Sequence, residues 1–116
     1  MMREQQVYLS VGCHPKKAGL LNFRRLENLK EMILNNPKVV AVGEIGLDYY
    51  GRNVPEEEKG QQTIVFKAML NLAVQHEMPV ILHIRGATEE ARDILSKVER
   101  LVQLSLLSWK SRLFRF

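Results

Sequence analysis

Val39-Val-Ala-Val-Gly-Glu-Ile-Gly-Leu-Asp-Tyr49 decides the fold, together with a second stretch, Pro79-Val-Ile-Leu-His-Ile-Arg85. Each begins as an apolar run suited to a strand buried on both faces, the pattern of a parallel sheet. Each run ends in an ionisable group, Glu44 in the first and His83 in the second. A carboxylate or imidazole at that depth is costly unless it is paired or metal-bound. The C-terminal ends of the strands are also where β/α proteins build their sites.

Working outward, strands and helices alternate. Val7-Tyr-Leu-Ser-Val-Gly12 is a β-rich run ended by Gly12 and Pro15. Residues 22–36 predict a helix capped by Asn22, with Leu26, Leu29, Ile33 and Leu34 as its apolar stripe and Asn35-Asn36-Pro37 as its stop. Val39 to Gly43 reads as the second strand, and residues 46–55 as a loop punctuated by Gly46, Gly51, Asn53 and Pro55. Pro55-Glu-Glu-Glu58 has the proline and the acids of a helix start. That helix is expected to run to about Glu77 and to turn Ile64, Ala68 and Leu72 inward, with Val65 and Met69 beside them. Val80 to Leu82 is the third strand, and Thr88 caps a third helix through Ala91, Ile94, Leu95 and Val98. Such an order implies parallel pairing through right-handed crossovers. A (β/α)8 TIM barrel takes about 250 residues, so three consecutive β-α units in 116 residues predict a partial one. The expected organisation is a partial barrel over residues 1–98 and a basic, apolar tail over 99–116.

Composition narrows the function classes. The net charge of +4 suggests nucleic-acid binding at first sight. Residues 1–99, however, hold 13 Lys+Arg against 13 Asp+Glu, and the excess comes from Arg100, Lys110, Arg112 and Arg115. The pI therefore argues for no basic groove in the main body. There is no apolar stretch of membrane-spanning length, and the polar start Met1-Met-Arg-Glu-Gln-Gln lacks a signal-peptide core. Cys13 is the only cysteine, which excludes an internal disulfide and makes an intracellular setting, cytoplasm or nucleus, the expectation. Cys13 itself reads as a small apolar residue, since no base stands ready to activate it. His76 near a helix end complements the dipole.

The stretches Val11-Gly-Cys-His-Pro15, Gly43-Glu-Ile-Gly-Leu-Asp-Tyr49 and Pro79-Val-Ile-Leu-His-Ile-Arg85, in that family-like order and spacing, closely resemble the TatD-type deoxyribonucleases. The Gln61-Gln62 and Phe66 region between them is similar too, and the likeness covers about residues 7–98. These are metal-dependent hydrolases on a (β/α)8 barrel, within the wider amidohydrolase-like group. The resemblance implies that Glu44 and His83 ligate divalent metal (Mg, Mn or Zn) and carry catalysis, and that Arg85, His14 and Asp48 serve the substrate side. Arg85 would hold a phosphate of DNA with its fork of donors, and Asp48 would orient a ligand or loop. Carboxylate and imidazole suit such ions, and the glycines around Glu44 allow close backbone approach.

The likeness also has gaps. The family's first-strand His-x-His pair is absent from this sequence, as are its later histidine and aspartate ligands; after His83 the only aspartate is Asp93. Two remaining ligands are fewer than the three proteins usually give even a single catalytic zinc. Beyond Val98 the run Arg100-Leu-Val-Gln-Leu-Ser-Leu-Leu-Ser-Trp-Lys-Ser-Arg-Leu-Phe-Arg-Phe116 has no turn residues and reads as foreign to the fold. The expectation is a TatD-like phosphodiesterase fragment with little activity alone. The alternatives are a non-catalytic, partner-binding fragment and a related enzyme acting on an ester or lactone.

Overall fold

The computed structural model describes residues 7–51, 53–105 and 114–115. Its order is β1 (Leu9–Val11), a 3-10 helix (Pro15–Leu20), α1 (Phe23–Asn35), β2 (Val39–Asp48), α2 (Glu56–Gln75), β3 (Val80–Arg85), α3 (Thr88–Ser105) and β4 (Phe114–Arg115). The four strands form one parallel sheet in the order β1-β2-β3-β4. Three β-α units thus follow one another as the alternation predicts.

The local chemistry explains the boundaries. Asn22 caps α1, its Oδ1 accepting from the Arg25 amide at 2.8 Å. Pro55 precedes α2, and Glu56, Glu57 and Glu58 place three negative charges against the positive end of its dipole. The core lies between the sheet and α2: Val42, Ile45, Leu47, Phe66, Met69 and Leu70 are all essentially inaccessible.

The structure corrects three details. Residues 46–48, expected in a loop, continue β2, pairing Gly46 with His83, Leu47 with Ile84 and Asp48 with Arg85; Leu47 needs that burial, and β3 correspondingly extends to Arg85. Of the residues expected to face inward on α2, Val65, Met69 and Leu72 are buried and Ala68 is half-buried, but Ile64 is not. Ile64 is 70% exposed, whereas Gln62, Val65, Phe66, Met69 and Ala73 are buried, because Gln62 is drawn against the end of β2 by two hydrogen bonds. Leu34 of the expected α1 stripe faces solvent. The expected boundary near Val98 falls inside α3, and most of the expected tail, residues 106–113 and 116, lies outside the described residues.

Candidate metal centre

The site is set by how β2 passes β3. The pairing runs Gly43↔Ile81 and then Ile45↔Leu82, so Glu44 is an extra residue in the ladder. A bulge of this kind re-aims a side chain, and Glu44 stands out from the sheet with its side chain 55% exposed while its neighbours on both sides are buried. The strands then close up tightly. Gly46 has φ +153, and a Cβ there would overlap the carbonyl oxygen of His83. A glycine at 46 is therefore what brings β2 against β3 at the level of the imidazole.

The 3-10 helix after β1 delivers the third group. His14 caps that helix, its Nδ1 accepting from the Lys16 amide at 3.1 Å. Its Nε2 lies 3.8 Å from Glu44 Oε1, and its ring centroid lies 4.4 Å from that of His83. One ligand atom from each of His14, Glu44 and His83 falls within 4.8 Å of the others. Thus β2, β3 and the turn that follows β1 bring these three groups to one point.

Behind this cluster sits Asp48, its side chain only 2% exposed. Oδ2 lies 2.9 Å from His83 Nε2 and 3.8 Å from Lys16 Nζ, and Oδ1 accepts from the Tyr50 amide at 3.1 Å. Burial by itself raises the pKa of this carboxyl. The hydrogen bonds from His83 and Tyr50 and the Lys16 charge outweigh burial and hold it below the ordinary carboxylate value. Asp48 is therefore an ionised acceptor, and the proton between it and His83 belongs to Nε2. That leaves the lone pair of His83 on Nδ1.

His14 has the opposite constraint. Burial, then the neighbouring His83, lowers its pKa against the opposing pull of Glu44 and Asp48, so it stays neutral near pH 7. With Nδ1 accepting from Lys16, the ring proton sits on Nε2, facing Glu44. As placed, His14 offers a donor beside Glu44, whose carboxylate offers lone pairs, as does the unprotonated nitrogen of a neutral His83 ring.

Arg85 lies two residues beyond His83 on β3. Its guanidinium lies 3.9 Å from the Tyr50 ring centroid at an exposed position. Cys13 donates its S–H to backbone carbonyls of His14 and Lys17; burial raises its pKa against the opposing charge of Arg25, so the thiol stays protonated. Lys16 and Gln62 were not among the residues singled out for the site by sequence. Lys16 carries no pattern that announces it. Gln62 did leave a signal, as a polar residue four before Phe66 on an otherwise apolar helix face.

A carboxylate and imidazoles gathered beside parallel β/α strands are the donor types that metal-dependent hydrolases use. The TatD related DNase family model matches residues 1–106, and the chain belongs to that family. It is 37% identical over 100 residues to the human 3'-5' RNA nuclease TATDN2, covering 84% of this chain and 12% of that protein. It is 39% identical over 87 residues to the 3'-5' ssDNA/RNA exonuclease TatD of Erwinia billingiae strain Eb661, covering 75% of this chain and 32% of that one. It is 37% identical over 91 residues to YabD of Bacillus subtilis strain 168, named a metal-dependent hydrolase, covering 78% and 34%. The crystal structure of YjjV, a TatD homologue from Escherichia coli K12, superposes with a TM-score of 0.71 at 32% identity, over 79% of this chain and 35% of that chain. The chain therefore spans about a third of the length of its bacterial relatives and forms a partial TIM barrel. Among the described residues no helix is long and apolar enough to cross a membrane.

Proposed function

We propose that this chain carries part of the metal centre of a TatD-type hydrolase that cleaves phosphodiester bonds in DNA. The names of the relatives make RNA a second candidate substrate. The observation that carries this reading is the convergence of Glu44 from β2, His83 from β3 and His14 from the turn after β1, with one nitrogen or oxygen of each within 4.8 Å of the others. The donor set fits a divalent ion: Glu44 and Nδ1 of His83 would hold Mg, Mn or Zn. The chemistry such an ion supplies is polarisation of a phosphoryl oxygen and activation of water.

The chain's own residues complete the arrangement. Asp48 keeps the His83 proton on Nε2, so that Nδ1 stays free. Neutral His14 presents Nε2–H beside Glu44, where it can donate to a substrate oxygen. Arg85, held over Tyr50, supplies a guanidinium fork for a flanking phosphate. The single cysteine accords with an intracellular, reducing setting, cytoplasm or nucleus.

Two lone-pair donors are fewer than the three a catalytic zinc usually takes from protein, so the chain by itself has little or no nuclease activity. An assay with Mg, Mn or Zn on single- and double-stranded DNA is expected to show only background. Robust cleavage lost in Glu44→Gln would overturn that expectation.

A second reading, a non-catalytic fragment that binds a partner, is favoured by the exposed Val7, Tyr8 and Leu9 along the β1 edge and by exposed Val40. A monodisperse species in sedimentation analysis supports it, and aggregation counts against it.

A further inference from the structure

Gln62 is a buried amide, 1% exposed, and both of its ends are spent on one residue. Its Oε1 accepts from the Asp48 N–H at 2.8 Å, and its Nε2 donates to the Asp48 carbonyl at 3.1 Å. The topology explains why those peptide groups need it. The next amide, Tyr49 N–H, bonds across to Arg85 of β3 at 2.8 Å. Successive peptide groups of a strand point to opposite sides, so those of Asp48 point toward β1. Yet β1 pairs with β2 no further than Val11↔Val42. Gln62 takes the place of the missing strand neighbour and satisfies two buried polar groups that would otherwise be orphaned.

We propose that Gln62 is a positioning residue of the metal centre: by bracketing the Asp48 backbone it sets the Asp48 carboxylate against His83 Nε2 and so keeps Nδ1 of His83 available as a ligand. The carboxylate is fixed from both directions. Gln62 holds its backbone, and Tyr50 N–H holds Oδ1, leaving Oδ2 aimed at the imidazole at 2.9 Å. Partners of this outer kind orient a ligand's ring and tautomer, and losing one commonly costs 10–100-fold in metal affinity. Gln62 reaches that role from α2, an element that contributes no donor to the cluster. The consequence for metal affinity rests on the ligand role proposed above for His83; the consequence for the imidazole does not.

The test is the two-bond 1H–15N correlation spectrum of the His83 ring in metal-free full-length chain, near pH 8, where imidazoles are neutral. Wild type is expected to show the Nε2–H tautomer. In Gln62→Met, which fills the space without either hydrogen bond, the ratio of Nε2–H to Nδ1–H forms is expected to fall at least about threefold, with Zn affinity falling about tenfold. Val65→Ala, a core truncation on the same helix, is expected to lower stability and leave the tautomer as in wild type. A His83 pattern unchanged in Gln62→Met, or an Nδ1–H form already dominant in wild type, overturns the proposal. Should Gln62→Met not fold, Gln62→Glu, which keeps only the acceptor for Asp48 N–H, is read by the same criterion. A tautomer shift in a chain that binds no Zn supports the positioning link while refuting the metal reading.

Discussion

Replacing Gly46 by alanine tests the crossing of β2 and β3 that builds the site. Two costs add. The backbone at 46 has φ +153, where an L side chain is strained by about 1–3 kcal/mol. The new Cβ would also overlap the His83 carbonyl oxygen, with the Ile84 Cδ1 at 3.0 Å. The strands must therefore part by roughly 1 Å before ordinary van der Waals contact returns. The pairs Gly46↔His83, Leu47↔Ile84 and Asp48↔Arg85 sit at that point, and weakening one or two ladder bonds costs about 1 kcal/mol each. The expected total is about 2–5 kcal/mol. Gly60 is the matched control: it lies within α2, and a Cβ there meets nothing within 4 Å, so Gly60→Ala is expected to stabilise by about 0.5–1 kcal/mol. Urea unfolding followed by circular dichroism reads both. A Gly46→Ala chain within about 0.5 kcal/mol of wild type would refute the argument that glycine at 46 holds β2 against β3.

Three further outcomes follow from the same geometry. Phe66→Ala, at a fully buried position, should cost about 3–5 kcal/mol, whereas Ile64→Ala on the solvent side of the same helix should stay within about 0.5 kcal/mol; equal losses in urea unfolding would contradict the observed face of α2. Metal-free stability should fall on acidification. The depressed Asp48 pKa gives stability that is present above its unfolded value of about 3.9 and lost as pH falls through the folded value. The lowered His14 pKa adds a loss that begins below about pH 6.5, because the fold favours the neutral ring. Asp48→Asn should flatten the lower part of that profile, and an unchanged slope there would count against ionised Asp48. Finally, Glu44→Gln, at a half-exposed side chain, should leave the unfolding free energy within about 0.5 kcal/mol while weakening divalent-ion binding; a large loss of stability would assign Glu44 a structural role.

The fold was legible because two independent periodicities agree. Apolar runs ending in Glu44 and His83 gave β2 and β3, and the Asn22 cap and the Glu56–Glu58 start gave α1 and α2 their N-terminal boundaries. The end of β2 was not legible, because glycine and aspartate read as turn formers. Gly46 is there instead for close approach to His83, and Asp48 is held by Gln62 and His83. The short 3-10 helix at Pro15–Leu20 has no periodicity to detect, so the sequence assigned His14 to the site only through the resemblance, and its approach to Glu44 came from the coordinates. On α2, counting apolar residues alone placed Ile64 inward and left out Gln62. A buried glutamine that pairs with strand backbone belongs to the inward face as much as Phe66 does.

The central claim is that Glu44 and His83 hold one divalent ion together. Calorimetric titration of Zn into wild type, Glu44→Gln, His83→Gln and the double variant measures it directly. If both side chains grip the same ion, each single change should weaken binding at least about tenfold, and the double variant should lose clearly less than the sum of the two, since coupled neighbours are non-additive. Strictly additive losses, or wild-type affinity in either single variant, would contradict the shared site.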